Sequence, residues 1–354
     1  MQTACNNAFK QCKALDKYYN ALEVSRLTDA AAIFKLTRPE LQLATGFTDA
    51  EADEVTKIVC QLALTDSSGQ KCSPFTSLYD LDSGQSTLSF GCPILDRFLG
   101  GGLPTRGVTE LSGESGSGKT QFCLQLSLMA QRSLGDGMPI YVVYICTEDR
   151  FPDRRLRQMQ RELGPAGRSL SDNVLVSHVG ELAMLMTCLE TTLPSLRRTK
   201  RVGLLVLDSV AALFRSEYEQ DQGIQRAADL RKLGTVLDRI WRSGVAVLCV
   251  NQVTDLISSD HPMFPVTGAS CVPSLGLTWG NVVTTRLFVS KTALTYAGAR
   301  NSAEPEVNVR RLQVVCSPSL PHRPEGCLYV VTQRGVQGIE VGDPRVVTLL
   351  TLEQ

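Results

Sequence analysis

Eight consecutive residues, Gly113-Glu114-Ser115-Gly116-Ser117-Gly118-Lys119-Thr120, limit the fold more than any other stretch of the chain. They satisfy the phosphate-loop pattern G-x-x-x-x-G-K-[ST] in full. That pattern works in one local setting. A strand delivers the chain, glycines let successive backbone N–H groups turn inward around phosphate oxygens, and a helix starts at the lysine with its amino end facing the anion. Both flanks agree: VTEL at 108–111 reads as a strand, and QFCLQLSLMAQ at 121–131 as an amphipathic helix. In this setting Lys119 brings positive charge to the β and γ phosphates of ATP, and Thr120 offers its hydroxyl to Mg²⁺.

A strand–loop–helix unit predicts an α/β fold, and the chain downstream continues it. Short apolar runs at 108–112, 140–146, 174–178, 203–208 and 245–250 alternate with helical segments, as in a mostly parallel sheet covered by helices on both faces. The tail, 282–290, 309–316 and 327–332, is strand-rich and extends the same sheet. Upstream, residues 1–64 have no β patterning. Leu22, Leu27, Ile33 and Leu36, then Val55, Ile58, Val59 and Leu62, recur at helical spacing. Thr48 and Glu51 form a capping box, and Pro39 sits at the first position of a second helix. The expected organisation is a small all-α N-terminal domain (1–64), a linker (65–88) rich in Ser, Gly, Asp and Thr, and an α/β ATPase domain (89–354). The N-terminal domain reads as a protein-contact bundle or a helix-hairpin-helix DNA module, the former favoured because the segment is not strongly basic.

Three further residues fall where open α/β sheets bind ligands, at the carboxyl ends of strands. Asp208 ends LLVLD at 204–208 and would hold magnesium through water. Glu148 ends YVVYICTE at 141–148 and would polarise the water that attacks the γ-phosphate, or else cap the next helix. Gln252 follows VLCVN at 247–251 and would bond the γ-phosphate, with capping again the alternative.

Composition narrows the functional classes. Lys plus Arg and Asp plus Glu both number 36, so formal net charge is zero. Bulk charge therefore does not grip nucleic acid, and DNA contact must come from a local patch or from partners. The 12 Cys include no C-x-x-C pair, which leaves a zinc ribbon or redox motif without its spacing. They read as reduced core residues of an intracellular protein. There is no signal peptide pattern and no apolar run long enough to span a bilayer.

In this order, the four motifs resemble the RecA-type recombinase core. FGCPILDRFLGGGLPTRGVTELSGESGSGKTQ at 90–121, VNQV at 250–253 and GNVVTTRL at 280–287 resemble its eukaryotic branch. YICTEDRFPDRRL at 144–156, DSVAALFRSEY at 208–218 and LGLTWGN at 275–281 resemble the DNA-repair paralogues within that branch. The resemblance covers roughly 89–335. It implies a RecA-type P-loop ATPase with ATP and Mg²⁺ as cofactors. In that reading Lys119, Glu148 and Gln252 are the catalytic set, Thr120 and Asp208 serve the metal, and Gly113 to Gln121 hold the nucleotide. An Arg stacked on adenine falls on Arg155, with Arg154 the lesser candidate; the planar guanidinium suits that role as lysine would not.

The implied function is homologous-recombination repair in the nucleus, and also in the cytoplasm. The chain would work in a hetero-complex with the C paralogue of the eukaryotic recombinase, with the recombinase itself, and with single-stranded or branched DNA. The alternatives are a strand-exchange recombinase that forms its own filaments and, further off, a P-loop small-molecule kinase. Two departures favour the paralogue. Cys316 stands where strand-exchange members carry an Asp that reaches a neighbour's ATP. The first DNA loop, Glu217 to Arg226, is acidic before its one Arg; the second, between Gln252 and Arg286, has no Lys or Arg and reads as a disordered or partner-facing loop, with base contact by Met263 and Phe264 the alternative. Within the linker, Phe75 and Leu78 resemble the family's docking motif, which adds a strand to a partner's sheet edge. The run Arg197 to Arg201 reads as a solvated loop before a buried strand, with a nuclear signal or DNA patch as alternatives.

Overall fold

Strands buried on both faces lose the polar–apolar alternation and read as continuous apolar runs. The computed structural model shows this arrangement. It describes residues 12–25, 27, 32–33, 36–63, 87–133, 139–167, 169–255, 271–297 and 306–348. The chain divides into two units, Met1–Gly84 and Gln85–Gln354. Phe75, Leu78, Met263 and Phe264 lie outside the described residues.

In the first unit, α1 (Tyr19–Val24), α2 (Arg38–Thr45) and α3 (Asp49–Ala63) bury Leu22, Leu27, Ile33, Leu41, Val55 and Val59 together. Leu36 and Ile58 pack against that cluster. The starts of α2 and α3 are fixed by side chains. The Thr37 backbone N–H donates to Glu40 Oε2 at 2.7 Å, and the Thr48 N–H to Glu51 Oε2 at 2.8 Å. Such a cap is worth about 1 kcal/mol. Pro39 occupies the second helical position rather than the first, because Arg38 is already helical. Its missing N–H is still among those a helix leaves unpaired.

The second unit opens with β1 (Thr87–Leu88), α4 (Pro93–Phe98) and β2 (Leu103–Pro104), the two strands pairing antiparallel. Strand β1 lies in a stretch whose composition reads as linker, since two residues leave no periodicity. Then come β3 (Val108–Gly113), α5 (Lys119–Ser133), β4 (Ile140–Cys146), α6 (Asp153–Glu162) and β5 (Val174–His178). Next are α7 (Leu182–Thr187), α8 (Leu193–Arg197), β6 (Arg201–Asp208), α9 (Val210–Ser216), α10 (Gly223–Arg242) and β7 (Ala246–Asn251). A small hairpin, β8 (Val253–Asp255) and β9 (Cys271–Pro273), precedes α11 (Gly276–Gly280). The tail supplies β10 (Thr285–Tyr296), β11 (Val307–Cys316), β12 (Cys327–Thr332), β13 (Gly335–Gly338) and β14 (Val346–Thr348).

The main sheet runs β13-β12-β11-β10-β3-β7-β6-β4-β5, with β14 on β10. From β10 to β5 all pairings are parallel; the tail strands join antiparallel. The period of two sorts side chains onto two cores. Val142, Tyr144, Leu204, Val206, Leu248 and Val250 share one with Phe122 and Leu126 of α5. Val143, Ile145, Leu205, Leu207, Val247 and Cys249 share the other with Phe214 of α9 and Leu233 of α10. No described helix is long and apolar enough to cross a membrane.

Candidate nucleotide and metal site

The same alternation builds the site. Cys146 and Asp208 are register partners on β4 and β6. Positions 144, 146 and 208 all belong to the α5 side of the sheet, and Glu148 and Gln252, just past the ends of β4 and β7, continue the even count. Side chains from three strands thus converge on the start of α5. They border a cavity of about 700 Å³ that Lys119, Thr120, Glu148, Asp208 and Gln252 all line.

The phosphate loop closes around its own lysine. Lys119 Nζ donates to the carbonyl oxygens of Gly113 and Glu114 at 2.7 and 2.8 Å. Gly113 is obligatory, since a Cβ there would collide with the Val289 carbonyl of neighbouring β10. Gly118 has φ +102°, which an L side chain rarely adopts. The buried Tyr329 hydroxyl donates to Ser117 O at 2.6 Å and ties the loop to β12. Burial pushes that phenol upward, so it stays a donor.

Asp208 Oδ2 accepts from Thr120 Oγ1 at 3.0 Å and from Tyr144 OH at 2.6 Å. Burial raises the Asp208 pKa, opposed by those two hydrogen bonds and by Lys119. Burial likewise lowers the Lys119 pKa, with Asp208 the largest opposing influence. A hydroxyl and a carboxylate set side by side are hard oxygen donors. With phosphate oxygens and water they suit Mg²⁺, which takes few protein ligands beside a nucleotide.

Glu148 and Gln252 meet across the cavity. Gln252 Nε2 donates to Glu148 Oε1 at 2.8 Å and Oε2 at 2.6 Å, and Ser209 Oγ lies 3.3 Å from Oε2. Glu148 is therefore not held as a helix cap: α6 has no side-chain cap at its start. Arg155 marks the far wall. Its guanidinium donates to Gln121 Oε1 at 2.7 Å, Gln158 Oε1 at 2.6 Å and Thr332 O at 2.5 Å. That grip joins α6, α5 and β12, and sets Arg155 apart from exposed Arg154.

Sequence reasoning missed three features. Tyr144 is the first, signalled only by a phenol inside an apolar run, two positions before Cys146. The second is the buried Glu110, which accepts from Asn251 Nδ2 at 2.6 Å and Trp279 Nε1 at 2.8 Å and pairs with Arg286. This cluster braces the end of β7 directly before Gln252. The third is Arg310, whose Nε reaches Gly116 O at 3.3 Å beside the phosphate loop. The segment Glu217 to Arg226 is largely folded: Glu217 accepts from the Leu182 N–H at 2.5 Å, and Arg226 Nε donates back to Phe214 O at 3.3 Å. Cys316 is exposed at the end of β11.

Comparison with known proteins places this geometry. A model of the Rad51 family matches residues 85–339. DNA repair protein XRCC3 of Mus musculus is 38% identical over 270 residues, 71% of this chain and 75% of its own. The XRCC3 homolog of Arabidopsis thaliana is 31% identical over 290 residues, 72% of this chain and 93% of its own. DNA repair protein rhp57 of Schizosaccharomyces pombe is 32% identical over 273 residues, 66% of this chain and 75% of its own.

Proposed function

The chain belongs to the Rad51 family, and from that premise we propose an ATP-dependent recombinase paralogue of homologous-recombination repair. It acts in the nucleus, in a hetero-complex that assists, caps or remodels recombinase filaments on single-stranded or branched DNA. The observation that supports an ATPase most directly is the Glu148–Gln252 pair facing Lys119 and Asp208 across one cavity.

Gly113 to Gln121 wrap the triphosphate, and Arg155 stacks on the adenine. Thr120 and Asp208 would hold Mg²⁺, which would supply positive charge to offset that of the phosphates. Glu148 takes the proton from the attacking water. Gln252 bonds the γ-phosphate, and its shift on release passes to β8 and the segment after it. Glu148→Gln keeps shape and removes the base, so ATP should bind as before while hydrolysis falls by about a hundredfold. Unchanged turnover would move the base elsewhere.

Partner docking rests on Phe75 and Leu78. The companions are the C paralogue of the eukaryotic recombinase and the recombinase itself. An extended segment pairs with a sheet edge while alternate side chains fill pockets. Co-purification and mass determination of the complex, with and without ATP, test the assembly. Phe75→Ala should weaken it by roughly thirtyfold, as expected for a buried aromatic anchor of about 2 kcal/mol.

A further inference from the structure

The run Arg197-Arg198-Thr199-Lys200-Arg201 is held at both ends. Arg197 closes α8, and its guanidinium donates to Ser243 Oγ at 2.6 Å and Ser243 O at 2.7 Å, just past the end of α10. Arg201 opens β6 in register with Ile140. Between them Lys200 Nζ lies 4.0 Å from the centroid of the Tyr141 ring. A linear nuclear signal must be read as an extended peptide, and this run cannot be drawn out without breaking β6 and the bonds at the end of α10. It is a folded surface, set against the last turns of that helix.

Those turns add to it. Arg231, Lys232, Arg239 and Arg242 are exposed on α10. At 100° per residue they fall within an arc of about 100°, over roughly 17 Å of helix. The one acid among them, Asp238, is bonded to Arg242 Nε at 2.7 Å and Trp241 Nε1 at 2.9 Å. Among the described residues, Arg198, Arg231, Lys232 and Arg239 have no carboxylate within ion-pair distance. Arg198 and Lys200 directly precede β6, and Arg239 and Arg242 lie shortly before β7, at the strand ends opposite Lys119 and Asp208; Arg231 and Lys232 lie about two turns further back along α10.

We infer that the phosphate backbone of a nucleic acid binds across this pole, on Arg198, Lys200, Arg231, Lys232 and Arg239. Like charges this close repel one another until a polyanion neutralises them. The roughly 12 Å of helix from Arg231 to Arg239 spans about three to four phosphates of one strand at about 3.4 Å each. The contacts are to backbone, which positions a nucleic acid without reading its sequence. Arg197, committed to Ser243, supports the surface rather than touching the ligand. The inference rests on the DNA-repair reading. It also answers a difficulty in that reading: the second loop lacks Lys and Arg, and Arg226 of the first turns back on Phe214.

The test uses the full chain, a labelled oligothymidylate and a labelled duplex, over a salt series. The variant Arg198→Gln/Arg231→Gln/Lys232→Gln/Arg239→Gln changes only exposed residues. Arg154→Gln/Arg157→Gln/Arg161→Gln on α6 controls for bulk charge. The first variant should bind DNA at least about tenfold more weakly at low salt. Its salt slope should fall by about 0.7 per lost contact on the single strand and about 0.9 on the duplex. The α6 variant should keep the wild-type slope. The inference is overturned by equal affinity and slope in wild type and the α10 variant, by equal losses in both variants, or by polyglutamate displacing DNA as well as unlabelled DNA does. If the α10 variant binds DNA, ATP and partner like wild type, only this inference fails. If wild type in its partner complex binds no DNA, the repair reading fails with it.

Discussion

At the carboxyl ends of β3, β4, β6 and β7, Lys119 and Asp208 are largely buried and face each other across one cavity; near the amino ends of β6 and β7, Arg198 and Arg239 are exposed, with no carboxylate in ion-pair distance among the described residues. Lys119 and Asp208 each have pKa values displaced by burial and pulled back by the other. Arg198 and Arg239 stand in water. The difference teaches how one neutral chain can bind two polyanions. In a desolvated cleft a single charge is strong and position-dependent. On an open surface each charge is weak and screened within about 10 Å at moderate salt, so effect comes from the sum.

The largest effect is expected from Lys119→Ala. A phosphate that loses its buried charged donor forfeits on the order of 3 kcal/mol, so ATP affinity should fall by about a hundredfold or more. Nucleotide-free DNA binding should be unchanged. Titration calorimetry and anisotropy on the same preparation decide it; a parallel loss of both would mean that the two poles are not separate sites.

Arg155→Ala comes next. Loss of a guanidinium face from adenine should weaken ATP by about tenfold and leave inorganic triphosphate unaffected. Equal losses for both ligands would place Arg155 on the phosphates instead.

Alkaline titration separates the poles more gently. Burial, offset chiefly by Asp208, lowers the Lys119 pKa. Its charged form is therefore complete below that lowered value and is lost as pH rises through it. ATP affinity should begin to decline at a pH below the ordinary lysine range. Affinity that holds flat into that range would show Lys119 to be unperturbed.

The smallest expected effect is that of Arg239→Ala alone. Removing one exposed contact should weaken DNA binding by about two- to threefold at low salt and by nothing measurable at high salt. A salt-independent loss would identify Arg239 as part of the packing of α10.

Much of the site can be read locally. The phosphate loop is legible because all its chemistry lies in eight consecutive residues with a strand before and a helix after. Asp208, Glu148 and Gln252 are each ambiguous alone, since an apolar run ending in a polar residue is common. Both faces of these strands are apolar, so no alternation in the sequence marks which side faces the phosphate loop. Tyr144, Glu110 and Arg310 were not visible locally. Tyr144 matters because β4 lies beside β6, and Glu110 because β3 lies beside β7 and β10.

The α/β class, the nucleotide cradle and the starts of α2 and α3 follow from the sequence itself, because these depend on contacts between near neighbours in the chain. Tertiary structure alone decided the strand order, and with it the bonds from Thr120 and Tyr144 to Asp208. It also seated the run at 197–201 against the end of α10, some forty residues later. No local periodicity encodes which strand or helix lies next to which. That is set by how both faces of the sheet are buried at once, and the placement of charge follows from it.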